Sequence, residues 1–475
     1  MVRKSLISIL FCLLFTIHTP AEVRRQMRGA WIATVENIDW PSAPGLSDYQ
    51  SRQEMLLLLD SLKSLHFNTV IVQIRPTADA FYYSLLEPAS HWLTGTQGLM
   101  PNYDPLSFII SEAHKRCIEV HAWLNPFRAS NTSMTFAQSH IYNSHPDWFV
   151  NYAGRTYFNP AMPETRSWLC SVVADIVRRY DIDAIHMDDY FYPYPVKGAE
   201  FPDQTQYEKY AIAGQSRDDF RRDCVTAVIR DIAMTIRSIK PHVQFGISPF
   251  GIWRNKTSDP HGSDTKGLQN YDDLYADILL WCNMGLIDYV TPQLYWEIGH
   301  KVADYATLSR WWHDNVKRGN LYAGLYASQL GKSKANAQWR NGNELCRQMT
   351  YSNKRGHNEG YMLYSLRPML NNPQGLLDSL RNNYFNDIAI PPVTQKIPTA
   401  VAPHAPQYLS YDNSLLTWVD YPELRAENKV IYFIIYRYDT PIAVTSDNYY
   451  RLSDPTGISV SAVSRMHIES QRTAL

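Results

Sequence analysis

The sequence predicts an α/β protein in which a (β/α)8 barrel over residues 22–389 is followed by a small all-β sandwich over residues 407–475. Apolar runs rich in β-branched residues alternate eight times with stretches of helical periodicity, which is typical of a barrel of parallel strands. Polar and aromatic residues collect where these runs end, as functional residues do in such barrels. The repeated alternation, rather than any single strand, predicts the barrel.

Eight strands and seven helices follow from the alternation. The predicted strands are apolar runs at Arg28 to Val35, Thr69 to Pro76, Glu119 to Pro126, from Asp183, Gln244 to Pro249, Asp288 to Trp296, Leu321 to Ala327 and Gly360 to Leu366. The predicted helices, whose apolar residues fall at helical spacing, are Tyr49 to His66, Pro105 to Arg116, Pro163 to Tyr180, Asp218 to Ile239, Leu274 to Met284, Tyr305 to Val316 and Gly342 to Ser352.

The pattern changes twice after the barrel. Residues 390–406 hold five prolines and no apolar periodicity, which indicates a semi-rigid linker. Strand-like runs then follow at Ser414 to Val419, Lys429 to Tyr438 and Ile458 to Val463. They predict a sandwich that resembles fibronectin type III, although its length of about 70 residues is short beside the roughly 100 of an immunoglobulin-like sandwich. We expect it to position the barrel or to bind a partner.

Residues 1–21 have the features of a secretory signal peptide. Two basic residues precede an apolar run from Leu6 to Ile17, and a small residue, Ala21, stands at the expected cleavage site. The run is too short to span a membrane. We therefore expect an exported protein of the periplasm or cell surface with no transmembrane span. Cys12 lacks the small residues that precede a lipoprotein cysteine, which argues against a lipid anchor.

Composition narrows the function classes. The 45 Lys and Arg residues nearly balance the 46 Asp and Glu residues, so nothing suggests a nucleic-acid partner. The cysteines beyond Cys12 are scattered and odd in number, which indicates buried thiols rather than disulfides or a metal site, and no cofactor is expected. The 32 Tyr and 13 Trp residues favour a groove for sugars, although large barrels also bury many rings. We expect a monomer that binds a glycan.

Side-chain alternation predicts an unusual barrel interior. Along four strands the outward set is apolar, whereas the inward set is polar or aromatic: Gln73, Arg75, His121, Trp123, Asn125, His186, Asp188, Gln293, Tyr295 and Glu297. A barrel packed only for stability would place branched aliphatic residues there. Each buried polar group must find a partner or cost about 1 to 3 kcal/mol. The inward set therefore indicates a functional site.

Two of these residues could form a catalytic pair. Asp188 at the end of the fourth strand and Glu297 at the end of the sixth would both face the barrel mouth. Glycoside hydrolysis needs one carboxyl to protonate the departing oxygen and another to stabilise or attack the oxocarbenium-like centre. Asp189 points the other way in a regular strand, but it can share the work, for example where the acetamido group of the substrate attacks.

Each acid also has a structural interpretation. Asp188 and Asp189 could belong to a strand-to-loop turn, because acidic residues favour turns. Glu297 could be the ion-pair partner of Arg75 or Lys301, because buried acids are usually paired.

The remaining candidates would bind substrate. His121 and His186 could ligate a metal, but inward histidines more often hydrogen-bond a carboxylate or a substrate hydroxyl, and no third ligand is evident. Arg75 and Asp79 could hold a substrate charge or substrate hydroxyls, or they could fix a loop by a salt bridge. The candidate stacking platforms for sugar rings are Trp123, Tyr190, Tyr192, Trp253, Tyr295 and Trp296, the last of which alternates outward.

Several motifs resemble one known family. They are Arg28-Gly29-Ala30-Trp31, Gln73-Ile74-Arg75-Pro76, Ala122-Trp123-Leu124-Asn125-Pro126, His186-Met187-Asp188-Asp189-Tyr190, the stretch from Gly246 to Arg254, and Pro292-Gln293-Leu294-Tyr295-Trp296. From about Arg28 to Tyr384 the chain resembles the bacterial glycosyl-hydrolase-like family 10. The resemblance implies a barrel, export and hydrolysis of glycans, with some relatives acting on peptidoglycan strands stripped of their peptides. It implies no catalytic residues, so Asp188 and Glu297 rest on the alternation of side chains.

The leading hypothesis is an exported glycosidase that acts by acid/base catalysis on an N-acetylated bacterial glycan, with peptidoglycan as the favoured substrate. The alternative is a catalytically silent glycan-binding protein of the cell envelope. A third interpretation, an export-linked scaffold that acts through its sandwich, leaves the inward polar residues unexplained.

Overall fold

The structure is a computed structural model that describes residues 22–131, 135–357, 359–394 and 396–475. The predicted signal peptide, including Cys12, lies outside these ranges. Within them, no helix is both long and apolar enough to cross a membrane.

A closed barrel of parallel strands forms most of the molecule. Its strands are β1 (Met27–Ile32), β2 (Thr69–Arg75), β3 (Glu119–Leu124), β4 (Ala184–Met187), β5 (Gln244–Ile247), β6 (Tyr289–Val290), β7 (Asn320–Leu321), β8 (Ala323–Tyr326) and β9 (Gly360–Tyr364). Only Tyr322 separates β7 from β8, so the nine segments occupy eight positions. Because β7 pairs with β6, β8 with β9 and β9 with β1, the ring closes, which confirms the predicted (β/α)8 barrel.

Helices surround the barrel. The main ones are α1 (Asp48–Ser64), α2 (Pro105–Lys115), α3 (Pro163–Arg179), α4 (Arg217–Ile239), α5 (Ile278–Asn283), α6 (Tyr305–Asn315) and α7 (Glu344–Lys354). Shorter helical segments are His91–Thr94, Gln204–Tyr210, Asn270–Asp273, Ala337–Asn341, Leu366–Leu370, Leu376–Ser379 and the π-helical turn Leu380–Tyr384.

Side-chain caps fix where helices begin. Ser47 and Gln50 form a capping box on α1, and Asp104 accepts hydrogen bonds from the first turn of α2. The helix predicted from Leu274 instead starts at Ile278, because the Asp277 side chain accepts a bond from the amide of Leu280 and sets the first turn there.

Two apolar clusters lie on the two faces of the barrel wall. The outward residues Val70, Val72 and Ile74 of β2 pack against the helices, as alternation predicts. A smaller cluster fills the barrel interior and consists of Met27, Trp31, Ala33, Ile71, Trp123, Ala184, Tyr289, Tyr322 and Met362. Gly246 makes room for one of these rings, since a Cβ at this position would lie 1.9 Å from Cζ of Tyr289.

The C-terminal part is an antiparallel sandwich, as predicted. Its strands are β10 (Gln407–Asp412), β11 (Leu415–Val419), β12 (Val430–Arg437), β13 (Thr440–Thr445), β14 (Tyr449–Arg451), β15 (Ile458–Ser464) and β16 (Thr473–Ala474). One sheet has the order β10-β11-β14 and the other β13-β12-β15-β16. Two further small sheets lie apart from the barrel sheet and the sandwich. In one, Arg24–Arg25 pairs with Ala389–Ile390, and in the other, Phe149–Tyr152 pairs with Arg155–Phe158.

Ion pairs join the sandwich to the amino-terminal end of the barrel. His467, which follows β15, bonds through Nε2 to the Glu119 carboxylate at the start of β3, and both side chains are buried. Arg465 pairs with Asp181 at 2.7 Å. Between the two units, Lys396 pairs with Asp288 at 2.8 Å. The sandwich therefore supplies positive charge to acids at the base of the barrel.

The pair of His467 and Glu119 titrates as one unit. Burial alone would raise the pKa of Glu119, but the charge and hydrogen bond of His467 and the nearby His121 imidazole lower it to about 2. Burial opposes protonation of His467, yet Glu119 raises the pKa of this imidazole above its ordinary value. The acid stabilises the fold above its unfolded pKa of about 4.3, and the imidazole does so below its unfolded pKa of about 6.5. The pair therefore contributes most between these values.

We predict that His467→Gln lowers the free energy of unfolding by about 3 to 5 kcal/mol near pH 5.5, because it leaves Glu119 as a buried charge without its counterion. The loss shrinks at a pH above the raised pKa of His467, where the wild type has also lost that cation. Urea unfolding at both pH values measures the difference. His404→Gln is the control, since His404 pairs with Glu423 while exposed, and an equal loss in both variants would contradict the prediction.

Candidate active site

Two consecutive buried acids, Asp188 and Asp189, follow β4 at the carboxyl end of the barrel. Asp188 faces inward, and neighbouring β3 supplies its donors. Trp123 Nε1 donates to Asp188 Oδ2 at 3.0 Å, and Asn125 Nδ2 lies 3.3 Å from both carboxylate oxygens. The predicted residues Trp123 and Asn125 thus hold the predicted acid in place.

The protonation of Asp188 is poised near neutrality. Burial and the charge of Asp189 raise the pKa of Asp188 to about 7, although Arg128 and the bond from Trp123 act to lower it. At this pKa the carboxyl group can both release and take up a proton at neutral pH, as general acid/base catalysis requires.

Asp189 is held by different donors. Gln293 Nε2 donates to Asp189 Oδ1 at 3.2 Å, and the Tyr194 hydroxyl donates to Oδ2. Gln293 is itself fixed, because its Nε2 also donates to the carbonyl of Ser248 at 2.9 Å. Burial raises the pKa of Asp189 above its ordinary value. Because two buried like charges repel each other, the pair favours a state in which one carboxyl is protonated and the other is ionised.

Half-buried tyrosines stand around the acid pair. The ring of Tyr295 stacks against Tyr326 at 4.8 Å and against Tyr364 at 6.0 Å between centroids. Tyr190 meets Tyr194 edge to face at 5.4 Å. Rings of this kind, with one apolar face and a polar tip, suit contact with sugar rings.

Glu297 lies in a different environment from the acid pair. Its carboxylate accepts bonds from Asn336 Nδ2 at 2.6 Å and from Trp339 Nε1 at 3.0 Å. Burial acts to raise the pKa of Glu297, but these bonds outweigh it and keep the pKa below its ordinary value. Glu297 is therefore an ionised carboxylate held by the Ala337–Asn341 segment and its Asn336 cap, not a partner of Arg75 or Lys301.

Arg75 and Asp79 hold loops. Arg75 is fully buried, forms two hydrogen bonds with Glu87 at 2.6 and 2.7 Å, and donates to the carbonyl of Asn125 at 2.5 Å. Asp79 accepts from Thr77 Oγ1 at 3.1 Å. Arg75 thus reaches the acid pair only through Asn125.

The two inward histidines belong to a chain of side chains along the barrel interior, here called the axial chain, which consists of Trp31, His186, Tyr289, His121 and Glu119. Hydrogen bonds link the first four residues, and an electrostatic contact links His121 to Glu119. Trp31 Nε1 can only donate, and it lies 3.4 Å from His186 Nε2, which must then accept. Burial also lowers the pKa of His186 well below its ordinary value, so this imidazole is neutral with its proton on Nδ1.

The rest of the axial chain follows from that proton. His186 Nδ1 donates to the Tyr289 hydroxyl at 2.9 Å, and the hydroxyl donates to His121 Nδ1 at 2.8 Å. The proton of His121 is then on Nε2, which lies 3.5 Å from Glu119 Oε2. At the other end, the Ser248 hydroxyl donates to His186 Nε2 at 2.9 Å. His121 and His186 are therefore placed along the interior, with Tyr289 between them.

Trp253 belongs to a separate aromatic group. Its ring stacks on Trp311 at 5.5 Å and meets Tyr271 at 5.9 Å. The structure does not bring it together with the acids, whereas it does bring together Trp123, Asn125, Tyr190, Gln293 and Tyr295 around them.

Four residues of the site escaped the sequence analysis: Arg128, Tyr194, Tyr326 and Tyr364. Tyr326 ends β8 and Tyr364 ends β9, so the alternation argument, extended to the last two barrel positions, would have found both. Arg128 and Tyr194 lie in loops, where no periodicity identifies them.

The pair of Asp188 and Asp189 can supply a protonated carboxyl group and a carboxylate side by side, at a barrel mouth lined by tyrosine rings. In the residue ranges described above, no group of three or more His, Cys, Asp or Glu side chains could hold a metal ion.

Comparison with known proteins gives matches in sequence and in structure. Over 453 residues, 92% of this chain and 88% of that protein, the chain is 42% identical to the glycosyl hydrolase YngK of Bacillus subtilis (strain 168). Over 380 residues, 75% of this chain and 86% of that protein, it is 39% identical to the glycosyl hydrolase DigH of Escherichia coli (strain K12). Among solved structures, the catalytic domain of β-amylase from Paenibacillus polymyxa aligns with 76% of this chain and 99% of its own, with a TM-score of 0.49 at 10% identity.

The family comparison covers the acid pair. Residues 26–341 match the family described as glycosyl hydrolase-like 10, and this range contains β1 to β8 with Asp188, Asp189 and Gln293. Together with the two relatives, the match shows that this chain belongs to the glycosyl hydrolase-like 10 family.

Proposed function

We propose that this protein is an exported glycosidase that cleaves the glycosidic bonds of an N-acetylated bacterial glycan, with peptidoglycan strands as the favoured substrate. The observation that carries the proposal is the buried pair of Asp188 and Asp189 at the barrel mouth, with the pKa of Asp188 near 7. Membership of a glycosyl hydrolase-like family supports glycan hydrolysis. The motifs resemble a family in which some members act on peptide-free strands, and this resemblance favours peptidoglycan.

Asp188 is the proposed general acid. Because it is partly protonated at neutral pH, it can give its proton to the departing glycosidic oxygen as the bond to the anomeric carbon breaks. The proton remains on the leaving sugar as a hydroxyl group. Trp123 and Asn125 hold the carboxyl group in its orientation during this transfer.

Asp189 is the proposed anionic partner. In a substrate-assisted reaction the acetamido oxygen of the substrate attacks the anomeric carbon, and a carboxylate that orients the acetamido N–H stabilises the positive charge that develops. Gln293 and Tyr194 fix Asp189 for this role. In the second step a water molecule attacks the anomeric carbon and opens the cyclic intermediate. Asp188, now ionised, takes a proton from this water as it attacks and so regains its starting state.

Glu297 is proposed to position one wall of the cleft rather than to react. Its donors are Trp339, in the Ala337–Asn341 segment, and Asn336, the cap of that segment. The Trp339 ring meets the Tyr326 ring edge to face, with 6.4 Å between the ring centroids. Glu297 thereby holds the tyrosines beside the acid pair.

The location and the sandwich complete the proposal. The signal-peptide features of residues 1–21 support release into the periplasm or to the cell surface. The sandwich has three strands in one sheet and four in the other, an arrangement that supports a fibronectin type III-like unit, and its ion pairs to the barrel base support a positioning role.

We expect Asp188→Asn to lower the release of reducing ends from peptide-free peptidoglycan strands by about 100- to 10,000-fold, because an amide cannot protonate the leaving oxygen. Binding of the strands should persist. Glu297→Gln should lower release about tenfold at most, because it removes one of two hydrogen bonds. A wild type that binds the strands without releasing reducing ends would instead establish a silent glycan-binding protein.

The pH dependence tests the coupling of the two acids. We expect kcat/KM to fall as the pH rises through about 7, because Asp188 loses its proton there. Asp189→Asn removes a like charge, so the pKa of Asp188 should fall and the alkaline limb of the residual activity should move to lower pH. Asp378→Asn, which changes an exposed acid, should leave the limb in place. An unmoved limb in Asp189→Asn would contradict the coupling.

A further inference from the structure

One buried arginine lacks a carboxylate partner. The structure buries four arginines, and three of them pair with acids: Arg28 with Asp387 at 2.6 Å, Arg75 with Glu87 at 2.6 Å and Arg221 with Asp203 at 2.8 Å. Arg128 is 8% exposed, yet in the described part of the chain no carboxylate lies within 4 Å of it. The residues outside that part include no Asp or Glu.

The contacts of Arg128 hold its side chain without neutralising it. Its backbone amide donates to Asn125 Oδ1 at 2.9 Å. Nε and Nη2 each lie 3.4 Å from the carbonyl of Pro76, which is long for such bonds, and the guanidinium stacks over the Tyr190 ring at 5.0 Å. These contacts engage one edge and one face of the guanidinium. They leave Nη1 without a partner of its own among the described residues.

The position of this cation places it beside the reacting centre. Its charge acts to lower the pKa values of Asp188, Asp189, Tyr190 and Tyr364, four groups of the barrel mouth. It does not act as the counterion of the acid pair, because no oxygen of either acid lies within ion-pair distance and the pKa of Asp188 still lies near 7. A sugar bound next to Asp188 would therefore meet the free edge of Arg128.

We propose that Arg128 is a subsite for a carboxylate carried by the sugar, so that the enzyme selects an acidic N-acetylated glycan over a neutral one. The inference rests on the proposed function and specifies its substrate. A planar guanidinium binds a carboxylate through paired hydrogen bonds, and burial strengthens such charge-assisted bonds. In peptide-free peptidoglycan every second sugar carries a free carboxylate, whereas chitin has the same N-acetylated β-1,4 backbone without it.

The test compares a carboxylated glycan with its amidated form and with a glycan that lacks the acidic substituent altogether. Binding is measured by calorimetry in the Asp188→Asn background, with peptide-free peptidoglycan strands, the same strands after amidation of their carboxylates, and chitin oligosaccharides. Adding Arg128→Gln should weaken binding of the carboxylated strands about 10- to 100-fold and change binding of the other two glycans less than about twofold. Arg128→Lys should give an intermediate loss, because a lysine keeps the charge but not the paired geometry.

Arg178→Gln on the exposed face of α3 is the matched control and should leave all three affinities unchanged. An equal loss for all three glycans would overturn the proposal, since Arg128 would then only shape the acid pair. If Arg128→Gln does not fold, the proposal still requires the parent Asp188→Asn protein to prefer carboxylated over amidated strands, and equal affinities would overturn it. If the wild-type protein binds carboxylated strands selectively but does not cleave them, the carboxylate subsite is supported and the proposed hydrolysis is contradicted.

Discussion

The need to satisfy polar groups inside a closed barrel governs much of this structure. The inward positions of the strands carry indole, imidazole, phenol and carboxyl groups, and each group is costly to bury unless a neighbour completes its hydrogen bonds. In the lower part of the interior, the hydrogen bonds of the axial chain join Trp31, His186, Tyr289 and His121. At the mouth, donors from neighbouring strands and loops bond to the carboxyl groups of Asp188 and Asp189. Ser248 joins the two, since its hydroxyl bonds to His186 and its carbonyl accepts from Gln293.

The same constraint produces the chemistry of the site. Asp188 has neutral donors and a like-charged neighbour but no cation in contact, so burial keeps its pKa near 7. Glu297 is the other acid that alternation predicts to face inward, but in the structure two donors hold its ionised form and outweigh the effect of burial on its pKa. The carboxyl groups of Asp188, directly after β4, and Glu297, seven residues beyond β6, therefore differ in protonation because their partners differ. This difference is the reason for assigning proton transfer to Asp188 and a positioning role to Glu297 in the proposed mechanism.

The sequence predicted the barrel because apolar runs and helices alternate on a scale that needs no three-dimensional information. It predicted the inward set because side chains alternate along a strand, and Trp123, Asn125, Gln293 and Tyr295 do surround the acid pair. It could not separate Asp188 from Glu297, because the donors of Glu297 lie about forty residues further along in a short helix and its cap. Arg128 was missed for a similar reason. It stands out because no carboxylate of the described residues pairs with it, and only the folded chain reveals this.

The contact between His467 and Glu119 has a consequence for how this architecture can evolve. The carboxylate belongs to the barrel and its counterion to the sandwich, so neither unit is electrostatically complete alone. Recombination that replaced the sandwich with another β-domain would leave Glu119 as a buried charge without a counterion, unless the new domain placed a cation at the same point. A barrel that lost the sandwich would first have to replace Glu119 with a neutral residue, and His121, which lies next to Glu119 in the axial chain, would have to change with it.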